Sequence, residues 1–187
     1  KGQIVALDDY RAVIGMTERS MGLSMNETDT SKLSKVADKL QTIKDNIAVY
    51  DSDSPKSSLI SGDCNVSYCW AAEIALAMDE NPAIKIVFPE EGAYKFIDNW
   101  AICKGAKNYD NAMKFINYMC DDKVAGKVIE EFPYLNVNQK AVEANEDYSK
   151  NEAKNIPSDV FEKGEFVSNL DTDTLKVYND MWNKLKN

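Results

Sequence analysis

Ile84-Lys85-Ile86-Val87-Phe88-Pro89-Glu90-Glu91-Gly92-Ala93-Tyr94-Lys95-Phe96-Ile97-Asp98-Asn99-Trp100-Ala101-Ile102-Cys103 is the stretch that decides the fold. Residues 84–88 form an apolar run of strand length, and Pro-Glu-Glu-Gly is turn chemistry. Residues 94–103 are rich in aromatic and branched side chains, which favour extended structure. One carboxylate, Asp98, stands among them, between Phe96 and Trp100. In an extended run Phe96 and Asp98 project from the same face. A charge in such a run is costly to bury without a partner, so Asp98 is expected to face a ligand's cationic nitrogen.

Working upstream, residues 64–70 read as a strand running into a helix at 71–78, which puts Trp70 and Glu73 at the junction. The same pattern opens the chain. A short strand at 2–7 ends at Asp8-Asp9, and a helix carrying Val13, Ile14, Met16 and Met21 on one face follows. Asp8 is read as its cap, since Asp accepts from free first-turn amides. Leu33, Val36, Ala37, Leu40 and Ile43 recur at helical spacing, and 47–50 is a short strand. Downstream, 110–120 predicts a helix with a buried stripe of Ala112, Phe115, Ile116 and Met119. Asp121 caps another, at 124–131. Phe132-Pro133 ends it and precedes Tyr134. Residues 139–165 are polar and loosely helical, and 172–185 make a last amphipathic helix. Strands alternating with helices indicate an α/β protein. In such sheets ligands bind at the carboxyl ends of strands, which is where Asp9, Trp70 and Glu73 fall.

Composition narrows the function. The chain has 187 residues, 44 % hydrophobic and 28 % charged, enough for one domain or one and a half. The net charge of −9 argues against nucleic-acid binding and suits cationic ligands. Histidine is absent, which removes the usual serine triad and any histidine-type zinc site. Cys64, Cys69, Cys103 and Cys120 form no C-x-x-C pair and read as free thiols, three of them buried, with disulfides the alternative for an exported chain. No phosphate loop or nucleophile elbow occurs, so no metal or cofactor is expected. What remains is carboxylates among aromatic rings, the means by which a site holds an ammonium group. A carboxylate pair, Glu73 with Asp98, could instead serve a hydrolase.

These residues carry a family resemblance. Residues 1–11 through Asp8-Asp9-Tyr10-Arg11, Gly62-Asp63-Cys64-Asn65-Val66 through Trp70, and above all Val87-Phe88-Pro89-Glu90-Glu91-Gly92-Ala93 through Phe96-Ile97-Asp98 resemble the polyamine-binding proteins of bacterial ABC transporters. Ala106-Lys107-Asn108, the 112–119 helix and Tyr134 before Asn138 extend it. The resemblance implies a periplasmic-binding-protein-like (type II) α/β lobe, a mixed sheet flanked by helices, with an incomplete portion of a second lobe. Residues 1–97 would be the family's second lobe, 98–148 a crossover segment of the first, and 149–187 a helical return to the 1–97 lobe.

It also implies a non-enzymatic solute carrier outside the cytoplasm that binds putrescine or spermidine and docks on a permease. Asp98 would take an amine, Trp70 and Phe96 would pack on the alkyl chain, and Asp9, Arg11, Glu73 and Tyr134 would line the cleft. Ala12 stands where spermidine-binding members carry Glu, Val167 where they carry Gln, and Phe96 where they carry Trp. Glu73 matches a position acidic in putrescine binders, so a diamine is favoured. A related carrier for a different solute is the other reading within the family. The chain begins at Lys1 and matches only the second part of such a protein. Its 98–148 piece is therefore expected to expose apolar surface and pack on another copy.

Overall fold

The computed structural model describes residues 1–187 apart from the side chain of Ser149. Strand β1 (Ile4–Ala6) is central in a three-stranded sheet of order β2-β1-β3, with β2 at Ile47–Tyr50 and β3 at Val66–Tyr68. Helices α1 (Tyr10–Arg19) and α2 (Thr30–Lys44) join β1 to β2, and α3 (Lys56–Ile60) joins β2 to β3. Strands joined through helical crossovers run parallel, and both pairings here are parallel. The expected mixed sheet is thus a parallel one. After β3 come α4 (Ala71–Glu80), β4 (Tyr94–Lys95), α5 (Tyr109–Met119), α6 (Asp122–Glu131) and α7 (Gln139–Glu143). A 3-10 turn (Tyr148–Lys150), α8 (Ser158–Lys163), β5 (Glu165–Phe166) and α9 (Thr172–Lys186) complete the chain.

Three helix starts show why these segments fold locally. Asp29, Asp121 and Asp171 each accept from backbone amides of the first turn of α2, α6 and α9. The main core then forms where α1, α2 and α9 present their apolar stripes. It contains Val13, Ile14, Leu33, Val36, Leu40, Tyr178, Met181 and Leu185, with Ala6 from β1. Each large aliphatic buried here contributes about 1.5–3 kcal/mol. Residues 172–186 therefore return to the α1–α2 layer from the far end of the chain.

The stretch 84–103 differs from its expectation. Residues 84–88 form no strand, although they alternate between half-buried and exposed. A strand needs a ladder partner, and none pairs with them among the described residues. Only Tyr94–Lys95 of the 94–103 run is ladder-paired, to Glu165–Phe166 in parallel. A second, small cluster of Ala125, Ile129, Ala141 and Tyr148 ties α6 to α7.

Helix α5 has its apolar stripe but buries none of it. Trp100 stacks edge-on against Phe115 with ring centres 5.3 Å apart, yet Trp100 remains 61 % exposed. Periodicity predicted the helix correctly. It could not show that the stripe stays partly open, with Ala112, Ile116 and Met119 only half-buried and Phe115 exposed. Of the four cysteines, Cys64 and Cys69 are buried and Cys103 and Cys120 exposed, all as free thiols. Cys103 was expected inside a strand, and no strand forms there.

Candidate functional site

The carboxyl ends of β1 and β3 carry the N-termini of α1 and α4. Asp9 caps α1, its Oδ1 accepting from the amides of Arg11 (2.8 Å) and Ala12 (3.1 Å). Asp8, expected to be the cap, instead pairs with Lys186 at 2.7 Å. Trp70 caps the start of α4 in extended backbone conformation, and its side chain packs beside Leu7, Ala12 and Cys69.

Against this edge lies β4, and its position is tightly held. Arg19 of α1 donates through Nε to the Glu91 carbonyl at 3.0 Å. The Lys95 ammonium sits 4.8 Å from the centres of both the Phe161 and Phe166 rings. Gly92 turns the chain at φ 92°, with its Cα packed against the Lys163 carbonyl. These contacts fix Tyr94, and Phe96 and Asp98 follow at a period of two.

Together these elements enclose a cavity of about 330 Å³ lined by Trp70, Tyr94, Phe96, Asp98 and Tyr134. That volume lies at the small end of small-molecule sites, about 300–1,000 Å³. Four rings form its wall. Trp70 meets Phe96 edge-on at 5.2 Å, Phe96 meets Tyr134 edge-on at 5.7 Å, and Tyr94 lies about 6 Å from both Trp70 and Phe96. Asp98 is exposed and carries no hydrogen bond or ion pair to any described residue. The anticipated cost of burying it does not arise, because residues 96–103 leave the sheet.

Electrostatics order the remaining carboxylates around the wall. Burial pushes the Tyr134 phenol up to about 12, helped by the charges of Glu73 and Asp98. Burial also raises Tyr94, with Asp9 and Asp98 adding to the shift. Tyr94 therefore lies in the fields of Asp9 and Asp98, and Tyr134 in those of Glu73 and Asp98. Glu73 does not line the cavity and is held by Lys56 at 2.7 Å.

Of the seven residues predicted from sequence, Trp70, Phe96, Asp98 and Tyr134 line one cavity. Asp9 and Glu73 do not line it. Arg11 turns away: its Nη2 donates to the Met25 carbonyl and to Asn26 Oδ1, and the guanidinium lies 5.0 Å over the Tyr178 ring. It braces α1 against α9. Sequence reasoning missed Tyr94, although it shares the period-two face of Phe96 and Asp98. It also missed Lys56, which no spacing connects to Glu73. The cavity has its aromatic wall, its unpaired carboxylate and its place at the ends of β1 and β3.

The family model for bacterial extracellular solute-binding proteins matches residues 3–156. The chain belongs to that family. Among curated relatives, the spermidine/putrescine-binding periplasmic protein of Escherichia coli K12 is 28 % identical over 187 residues, covering all of this chain and 53 % of the relative. Spermidine/putrescine-binding periplasmic protein 1 of Haemophilus influenzae is 32 % identical over 142 residues, 76 % of this chain and 39 % of the relative. A solved putative spermidine/putrescine ABC transporter protein from Listeria monocytogenes superposes with a TM-score of 0.91 at 32 % identity, covering all of this chain and 58 % of that one. The chain thus spans about half the length of the curated relatives it matches. This solute-binding family member has a periplasmic-binding-protein-like fold, present here in part. No helix among the described residues is long and apolar enough to cross a membrane.

Proposed function

We propose that this chain is the larger part of a polyamine-binding component of a bacterial ABC importer, working outside the cytoplasm and without catalysis. The observation that carries this is Asp98, an unpaired carboxylate at a cavity walled by four aromatic rings. An ammonium group there donates a charge-assisted hydrogen bond to Asp98 and is attracted to the ring faces, while a short alkyl chain packs on them. Relatives named for spermidine and putrescine support the same ligand class. In this reading residues 1–97 and 149–187 form one lobe and 98–148 belong to the other. Ligand closes the two, and the closed form docks on the permease. The hydrolase reading loses support, because Glu73 is tied to Lys56 and does not face the cavity beside Asp98.

Calorimetry with putrescine and spermidine tests the proposal. Heat is expected with at least the diamine, and it should weaken as salt rises. Asp98→Asn is expected to reduce affinity about tenfold, about 1.4 kcal/mol. The loss expected for a desolvated charge pair, about 2–5 kcal/mol, is cut by the water that reaches Asp98. No heat with any polyamine, together with turnover of a glycoside, would overturn the reading.

The uncovered face of α5 adds a second expectation. With Trp100, Phe115 and Tyr118 about half or more exposed, this chain alone should bind an apolar dye and scatter light with a mass above the monomer's. A monomer that leaves the dye dark would remove self-association.

A further inference from the structure

Two buried polar atoms at the α1–α9 contact have no hydrogen-bond partner among the described residues: Arg11 Nε and Glu18 Oε2. Both residues belong to α1, seven positions apart, so they stand on one face about two turns from each other. A single ring spans them. The Arg11 guanidinium lies 5.0 Å from the centre of the Tyr178 ring, and Glu18 Oε1 lies against the Tyr178 hydroxyl. Arg11 and Glu18 are 9 % and 0 % exposed, so solvent screens them little. A buried donor and a buried acceptor, each unpaired beside one ring, call for an explanation.

Arg11 and Tyr178 meanwhile hold the 24–27 loop. Arg11 Nη2 donates to the Met25 carbonyl at 3.1 Å and to Asn26 Oδ1 at 2.9 Å, and the Tyr178 hydroxyl lies 3.1 Å from the Glu27 carbonyl. That loop in turn holds β5. The Met25 amide donates to Glu165, Asn26 donates to Glu165 and to the Phe166 carbonyl, and the Ser168 amide donates to Asn26 Oδ1 at 2.7 Å. Strand β5 pairs with β4, whose Tyr94 lines the candidate cavity. A continuous chain of contacts therefore runs from Glu18 to the cavity wall.

The groups facing Glu18 are Arg11 from its own helix, Tyr178 from α9, Glu27 from the loop and Glu165 from β5. Glu27 is paired with Lys32 and Glu165 with Arg19, so Arg11 is the cation among them that can answer a charge on Glu18. A phenol has one proton to donate, so Tyr178 serves either Glu27 or an ionised Glu18. We propose that Glu18 and Arg11 form a pH-operated strap. With Glu18 protonated, Arg11 and Tyr178 hold the loop and, through it, β5. When Glu18 gives its proton to solvent, the carboxylate draws both donors to itself. Arg11 Nε–H gains the acceptor it lacks, and the loop and β5 are released. Burial raises Glu18 to about 7, so the held form prevails below that pH and is lost above it. The inference does not depend on which ligand the cavity takes.

The chain has no histidine, so few other groups titrate across this range. The test is nuclear magnetic resonance of the ¹⁵N-labelled full chain, titrated between pH 5.5 and pH 8.5. These native-state signals do not follow global stability. In the wild type the Arg11 Nε–H proton should move downfield as it gains an acceptor, and the Ser168 amide proton should move upfield as it loses one. Both should share a midpoint near 7, and the Tyr94 amide should shift with them. In Glu18→Gln, which cannot ionise, none of the three should titrate. Glu18→Leu serves as the second variant if circular dichroism shows that the first does not fold. An Arg11 Nε–H that does not titrate overturns the inference. So does an Arg11 titration that leaves Ser168 and Tyr94 unmoved, or a movement that persists in the Glu18 variant.

Discussion

Glu18→Gln is expected to stabilise the protein at pH 8 by about 3 kcal/mol and to leave it nearly unchanged at pH 4. Glu18 is fully buried in the main core, between α1 and α9. Its Oε2 has no hydrogen-bond partner among the described residues, and its Oε1 lies against the Tyr178 hydroxyl. That hydroxyl also faces the Glu27 carbonyl at 3.1 Å. A phenol has one proton to donate, so both neighbours are satisfied only if Glu18 itself carries a proton and donates it to Tyr178.

Burial accordingly pushes Glu18 from its ordinary value near 4.5 up to about 7, opposed in part by the hydrogen bond that its ionised form accepts from the Tyr178 hydroxyl and by Arg11. A carboxyl raised in the folded state binds its proton more tightly there than in the unfolded chain. Its contribution to stability is complete below pH 4.5 and is lost as pH rises through 7. The gap between the two values corresponds to about 3 kcal/mol. Glutamine cannot ionise and escapes that loss. Urea unfolding of both proteins from pH 4 to pH 8 checks this, and a stability difference that does not change with pH would contradict it.

Gly92→Ala should cost about 3 kcal/mol or more and should weaken ligand binding with it. Two causes add. The backbone sits at φ 92°, where a Cβ is strained, and that Cβ would stand 2.2 Å from the Lys163 carbonyl oxygen. The obstruction is backbone, so β4 and β5 must separate for the methyl to fit, and Tyr94 and Phe96 move with β4. Gly22→Ala is the control. It has the same sign of φ, at 72°, but open space around it, and should cost only about 1 kcal/mol. Equal losses in the two variants, read from urea midpoints, would remove the packing half of the argument.

Much of the site was legible before any coordinates. The period of two along Phe96 and Asp98 put both on one face, and both do line one cavity. The strand-to-helix junction put Trp70 at a strand's carboxyl end. Turn chemistry located Gly92. The same period of two reaches Tyr94, which was readable and overlooked. Arg11 was placed at the site by resemblance, and its guanidinium is instead anchored between α1 and α9. Asp8 and Asp9 compete for one cap, and only the direction of the Asp9 carboxylate resolves which one holds it.

Sequence by itself determined the alternation of strands and helices, the helix stripes and their aspartate caps, and the aromatic-and-carboxylate character of the site. These follow from local periodicity and from side-chain chemistry within a few residues. Only the tertiary structure decided which segments found partners. Residues 84–88 and α5 have apolar patterns as good as those of β1 and α9, but no described residue pairs with the first in a ladder and none of the second is fully buried. Only the tertiary structure, too, brought Lys56 to Glu73 and Glu18 to Tyr178. Those pairs depend on contacts 17 and 160 positions apart. Local propensity does not encode such distances, and the properties of each pair depend on the burial that only the assembled fold supplies.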